Sequence, residues 1–185
     1  MEMQELSHGE ILAEMSSEPQ AAKDAVLRFA ADYGRDALIA HARGLAAKKP
    51  LKWHAETLRE TDEFRCTVLA IDPNEAIPLH DHPGAWGTLL VLHGSVLHHQ
   101  FTVVGQDRGA WVLRRARAAR ELLRPSTLTS FSADFGNAQS FVAGDEGCIL
   151  LGISLRSSQP SYWYSPLNDI ASATVVAFRS ERQGL

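Results

Sequence analysis

At 185 residues, with 45% hydrophobic and 22% charged side chains, the chain is long enough to bury a proper core and too apolar for a disordered one. Its formal net charge of -4 argues against a dedicated nucleic-acid binder, which carries a basic excess. No apolar run approaches the roughly 18 residues of a membrane helix. The opening MEMQELSHGEILAEM lacks the basic and apolar regions of a secretory signal, and two cysteines, Cys66 and Cys148, are too few for a disulfide framework. A reduced, cytoplasmic protein is expected, with no nucleic-acid or membrane partner and with homo-oligomerisation left open.

From residue 4 to about 49 the pattern is helical. Ile11, Leu12 and Met15 recur at helical spacing, then Ala25, Val26, Phe29 and Ala30, then Leu38, Ile39, His41 and Leu45. Breaks are expected near Ser17 to Pro19, at Tyr33-Gly34 and at Lys49-Pro50. His41 reads as a helix-surface or packing residue. After Pro50 the period changes to two: Phe64, Cys66, Val68 and Ala70 alternate with Arg65, Thr67, Leu69 and Ile71. Asp72-Pro73-Asn74 makes a turn. TLLVLHGSVLHHQFTVV reads as two strands joined at His93-Gly94-Ser95, with glycine at a hairpin position. Further strands are expected around 111–115, 121–124, 128–132, 139–143, 148–156 and 172–178. This pattern predicts a mainly β fold, an antiparallel barrel or sandwich, and one domain over 1–185: a helical lead at 1–49 and a β body at 50–185.

The stretch LHDHPGAWG at 79–87 carries the chemistry. In an extended chain alternate side chains share a face, so His80 and His82 can aim at one point while Asp81 turns away. Two neutral ring nitrogens at a strand end suit a single metal ion; a pair of exposed loop histidines is the bland alternative.

IPLHDHPGAWGTLLVLHG resembles the first motif of the cupin jelly-roll barrels, and more narrowly that of the cysteine dioxygenase family of thiol dioxygenases. That family's HDH stands here as His80-Asp81-His82, and Gly94 falls at its turn glycine. The Glu that most cupins carry just after the second histidine is replaced by Trp86 or Gly87, as in the thiol dioxygenases. Gly87 occupies the place of the animal enzymes' cross-linked cysteine, which is the usual bacterial form. The resemblance implies a cupin jelly-roll barrel with an N-terminal helical segment, covers about residues 50–165, and implies bound Fe(II).

The second motif departs from the family. Its third metal-ligating histidine, three residues after a glycine, corresponds to Gln139 in Gly136-Asn137-Ala138-Gln139. Fifteen residues on, Ser154 replaces the histidine of the family's Ser–His–Tyr triad, with Gly152 at its serine and Arg156 at its tyrosine. Gln139 presents a neutral carbonyl oxygen and so keeps the charge of a three-histidine site while donating less strongly. Three outcomes stay open: Gln139 is a weak third ligand, a water or another histidine (His93, His98 or His99) completes the site, or the metal is lost. Of the adjacent His98 and His99, only one can face the barrel interior.

In CILLGISLR, Ile149, Leu151, Ile153 and Leu155 form an apolar face suited to the core. Cys148, Leu150, Gly152, Ser154 and Arg156 share the other. If that face lines the barrel, Arg156 needs an anion and suits a substrate carboxylate; otherwise it reaches solvent from the strand end. The family's substrate-binding arginine has no obvious counterpart among Lys52, His54 and Arg59. Trp86 is a candidate wall of the site or a structural aromatic, and SYWYSP at 161–166 either covers the barrel mouth or packs on the helices. The arginines from Arg108 to Arg124 read as a solvated strand face or a subunit contact.

The leading functional reading is a mononuclear Fe(II) thiol dioxygenase, oxidising a small thiol carboxylate to a sulfinic acid with O2. Metal: His80, His82 and Gln139; substrate: Arg156 and Trp86; behind them, Ser154. The alternatives are a metal-binding cupin with isomerase, lyase or carbon-oxidising chemistry, or a non-catalytic barrel that binds a small carboxylate.

Overall fold

The computed structural model describes residues 19–47 and 52–181. The helical reading of the chain before Pro19 lies outside these residues. Two helices follow, α1 (Pro19–Tyr33) and α2 (Arg35–Ala46), parted at Gly34 as expected. One face of the pair buries Ala22, Ala25, Val26 and Phe29 from α1 and Leu38 and Ala42 from α2.

Among the described residues nine strands form one sheet: β1 (Trp53–Glu60), β2 (Phe64–Ile71), β3 (Ala76–Asp81), β4 (Gly87–Asp107), β5 (Ala110–Leu123), β6 (Leu128–Phe131), β7 (Ala138–Leu155), β8 (Tyr162–Pro166) and β9 (Thr174–Glu181). Their order is β1-β2-β7-β3-β8-β9-β5-β4-β6, and a further β7–β4 ladder closes it into an antiparallel barrel. The two faces divide the core. Phe64, Cys66, Val68, Ile149, Leu151 and Ile153 pack outward against the helices, while Leu150, Cys148, Ile71, Ile77, Val91 and Phe141 fill the interior. The face assignment expected for 148–156 therefore holds, with one refinement: its aliphatic face meets the helices and its mixed face meets the barrel lumen.

Three expectations about strands need correction. His93-Gly94-Ser95 is not a hairpin but a bend in the single strand β4, which pairs with β7 on both sides of it. Gly94 has φ 68°, and a Cβ there would overlap the carbonyl of Gly147, so the bend demands glycine as strictly as a hairpin would. The segments 139–143 and 148–156 are likewise one strand, β7, and 111–115 and 121–124 are one strand, β5. SYWYSP contributes β8, paired between β3 and β9, and its Ser161 lines the histidine cavity. Within the arginine segment, Arg115 departs from a solvated face: Nε and Nη2 donate to the carbonyls of Ser172 and Ile170 and fasten the loop before β9.

Candidate metal and substrate site

β3 delivers the two histidines. Ile77 and His80 are three residues apart, yet both line the same cavity, because the β3–β7 register shifts between them. From His80 the chain alternates, so His82 returns to that cavity and Asp81 points away. The two imidazole centroids lie 5.0 Å apart at 74°. His80 is buried, with Nδ1 2.8 Å from the carbonyl of Pro78. A carbonyl only accepts, so Nδ1 carries a proton, and in the neutral ring the lone pair is then on Nε2, an arrangement common among metal-ligating histidines. The His82 ring stacks on Phe131 at 5.0 Å, and its backbone N–H donates to the Asn137 carbonyl at 2.8 Å.

Asp81 serves as a brace. Its carboxylate accepts the Tyr162 N–H and the Tyr164 O–H, each at 2.7 Å, and so ties β3 to β8 behind the histidines. Burial pushes its carboxyl above the usual range, opposed by those two bonds and by Arg179. A second cavity of ≈ 330 Å³ lies on this far side, between Asp81, Tyr164 and Arg179.

Gln139 pairs with His80 across the β3–β7 ladder, is 3% exposed and lines the histidine cavity. Its Oε1 lies 3.2 Å from Nε2 of His98. Burial drives the His98 pKa down to about 4, against the pull of that bond, so its ring is neutral near pH 7. The ring stacks on Phe141 at 4.7 Å and 4°, and Phe141 in turn sits 6.5 Å from His80. Of the adjacent pair, His98 is thus the inward residue, and it supports Gln139 rather than lining the cavity. His93 instead reaches α2, with Nε2 3.0 Å from Arg43 Nη2. Among the described residues no three His, Cys, Asp or Glu side chains cluster as a metal site. The donors that the cavity offers are two imidazoles and one amide. In its unprotonated form each is an uncharged donor, and the Pro78 carbonyl holds Nδ1 of His80, so this donor set fits a divalent metal.

The cavity itself measures ≈ 470 Å³, with Trp53, Leu69, Leu89, Phe131 and Phe141 among its apolar walls. Ser154 and Arg156 line it, as does Arg65, which pairs with Ser154 across the β2–β7 ladder. Arg156 is 42% exposed; Nη1 donates to the Thr61 carbonyl at 3.1 Å and Nε lies 3.1 Å from Glu60 Oε1. It stands at the mouth, one residue past the end of β7, where it lines the lumen and also reaches solvent.

Trp86 is a correction. Gly87 pairs with Ser154, and paired residues share a face, so Gly87 turns to the lumen and Trp86 to the helices. Its ring packs edge-on against Phe64 at 5.5 Å, in the helix-facing cluster. Trp163, 5.3 Å from the His80 ring, stands beside the histidines instead. His54 also faces away: it is buried, on the opposite side of β1 from the cavity-lining Trp53, Ala55 and Thr57. Arg65, Glu60 and Trp53 were not among the residues expected at the site. The alternation Trp53, Ala55, Thr57 carried the signal for β1, but only the pairing of β1 with β2 brings Glu60 to Arg65.

The model of the PCO_ADO family, the cysteine/cysteamine dioxygenases, matches residues 18–153. The chain belongs to this family. The match extends further toward the N-terminus than the expected 50–165, taking in both helices, and it ends before Ser154 and Arg156. PCO_ADO proteins are typically metal-dependent cupins.

No curated protein sequence matches the chain. Solved structures similar to it include KdgF from Halomonas sp., at 11% identity and TM-score 0.44 over 60% of this chain and 84% of that one. A cupin-superfamily sugar phosphate isomerase from Silicibacter pomeroyi has 15% identity and TM-score 0.47, over 60% and 65%. A double-stranded β-helix protein from Klebsiella pneumoniae has 15% identity and TM-score 0.48, over 65% and 90%. Among the described residues no helix is long and apolar enough to cross a membrane.

Proposed function

We propose that this PCO_ADO protein is a mononuclear iron thiol dioxygenase that converts a small thiol carboxylate and O2 into the sulfinic acid, within the reducing cytoplasm. The observation that carries the reading is the placement of His80 and His82 side by side in one cavity, with His80 Nδ1 against the Pro78 carbonyl. His80, His82 and Gln139 would hold the iron. Bound iron would supply the redox and Lewis-acid capacity that joins a thiol to O2 (RSH + O2 gives RSO2H), leaving positions open beside three protein ligands.

The chain's own residues bind and orient. Asp81, held by Tyr162 and Tyr164, fixes the strand that carries both histidines. Phe131, Phe141 and Leu89 keep the thiol end of the substrate in an apolar enclosure. Arg156 receives the carboxylate at the mouth, where a planar guanidinium offers two parallel donors. Ser154 lies between mouth and floor and suits a polar contact to the substrate backbone.

The test is anaerobic Fe(II) loading followed by oxygen uptake with a panel of thiol carboxylates, their amides and simple aminothiols. Uptake with stoichiometric sulfinate from a carboxylate supports the reading; no uptake by an iron-loaded protein with any thiol sinks it. One observation favours a second reading. The Gln139 amide oxygen already lies within hydrogen-bond distance of His98, which weakens it as a donor and favours a metal-free barrel that binds a carboxylate. Metal analysis after loading separates the two.

A further inference from the structure

Two guanidiniums and one carboxylate meet at the cavity mouth. Arg65 Nη2 and Nε lie 2.8 and 3.1 Å from Glu60 Oε1, and Arg156 Nε lies 3.1 Å from the same oxygen. Both arginines line the cavity that holds His80 and His82. We propose that Glu60 is a built-in occupant of the cavity's anion site, bridging Arg65 and Arg156 until a ligand carboxylate displaces it. The site then selects thiols that carry a carboxylate over their amides and over aminothiols. This rests on the thiol-carboxylate reading above and adds Arg65 as the second arm of the clamp.

Backbone pairing builds the triad. Glu60 and Arg65 face each other across the β1–β2 ladder, and Arg65 faces Ser154 across β2–β7. The turn between β1 and β2 also holds Arg156, through its backbone N–H to the Glu63 carbonyl and its Nη1 to the Thr61 carbonyl. Arg156 is therefore held by main chain as well as by Glu60, while strand register brings Arg65 to the mouth and Glu60 receives its guanidinium. The Arg65 guanidinium, by hydrogen bond and charge, holds the Glu60 carboxyl below its usual range, so it is an anion near neutral pH.

The contacts suit exchange. The three side chains are 37% to 48% exposed, and ion pairs so exposed are weak and lose little when remade with another partner. Glu60 is the last residue of β1, and its side chain has solvent to swing into. A ligand carboxylate anchored also by its own apolar stem in the cavity gains effective concentration that water-borne anions lack.

The decisive variant is Glu60→Gln, which removes the internal carboxylate and keeps the shape. A resident competitor and a mere structural support predict opposite signs. Binding of 3-mercaptopropionate and of 3-mercaptopropionamide is measured by calorimetry on the full chain, both as purified and iron-loaded. Glu63→Gln, in the same turn, controls for the general loss of one negative charge, and Arg65→Met tests the route.

Glu60→Gln is expected to tighten carboxylate binding at least threefold more than Glu63→Gln does, with the amide unchanged and with the gain abolished in the Arg65→Met background. Unchanged or weaker carboxylate binding in Glu60→Gln overturns the proposal, as does a gain equal to that of Glu63→Gln or one that survives Arg65→Met. Thermal melts verify that each variant is folded, and Glu60→Ala repeats the test without the amide. Loss of oxygen uptake with this binding pattern intact would sink the dioxygenase reading alone.

Discussion

Gln139 lies directly opposite His80 across the β3–β7 ladder, and its amide oxygen is 3.2 Å from the buried ring of His98. The amide is therefore held between a candidate ligand and a neutral imidazole, at the position where the resemblance to the cysteine dioxygenases puts a histidine. An amide oxygen donates less strongly than imidazole, while both are neutral. Gln139→His is expected to tighten Fe(II) binding by roughly tenfold or more, the scale at which changes around a metal ligand are felt. Competition with a chromogenic chelator measures it. Equal affinity in the two proteins would remove Gln139 from the ligand set.

Either histidine of the HDH segment should be indispensable to the metal. His80→Ala and His82→Ala are each expected to lose most of the iron after anaerobic loading and desalting, measured by metal analysis. Asp81→Asn is the informative neighbour. It leaves both rings in place but weakens the brace to Tyr164, so it should reduce retention less than either alanine variant does. Unchanged stoichiometry in both alanine variants would place the metal elsewhere.

The two cysteines predict an alkaline limit to stability. Both are free and buried, and burial pushes each thiol up to about 12 from an ordinary value of 9.0. The folded chain then keeps protons that the unfolded chain releases, so stability is intact below about pH 9 and drains as pH rises toward 12. At 1.36 kcal/mol per unit the upper limit is about 4 kcal/mol for each thiol. Urea midpoints at pH 7.5, 9 and 10.5 should fall more steeply in the natural chain than in a Cys66→Ala, Cys148→Ala variant. Parallel slopes would deny the thiols any part in it.

What could be read from the sequence and what could not separate along a physical line. The side-by-side placement of His80 and His82 follows from a period of two over three residues, a local rule that tertiary contacts left intact. The alternating face of β2 and the two faces of 148–156 were legible for the same reason. Gly94 was misread because a hairpin and a strand bend ask the same thing of the backbone, a positive φ. Trp86 was misplaced because its direction depends on the turn at 82–85 and on the Gly87–Ser154 pairing, which no local pattern encodes. Arg65 and Glu60 were visible only as charges on alternating strands. Their meeting with Arg156 needs three strands brought together.

Gly94 gives the sharpest stability prediction. Gly94→Ala forces a side chain into a left-handed backbone and against the Gly147 carbonyl, at the bend where β4 and β7 turn together. A cost of at least about 2 kcal/mol is expected, since both strain and overlap act at one site. Urea unfolding measures it. A midpoint within error of the natural chain would mean that the bend relaxes without glycine.

Under the proposed function, Arg156 is the residue on which substrate choice turns. It stands at the mouth of the histidine cavity, on the lumen face with Ser154, and its Nη1 and Nε are steered by Thr61 and Glu60. A charge-assisted pair with a carboxylate contributes roughly 1.5–3 kcal/mol when shielded from water. At 42% exposure the lower end applies, and that corresponds to about a tenfold change in affinity. Arg156→Ala should therefore lower kcat/KM for 3-mercaptopropionate about tenfold and leave its amide nearly unaffected, compressing the preference between them. Arg156→Lys should fall between, because an ammonium keeps the charge and loses the planar fork. Steady-state oxygen uptake with both substrates decides it. If both variants kept the natural preference for the carboxylate, the anion site would have to rest on Arg65 alone, and Arg156 would serve only to hold the turn at Thr61.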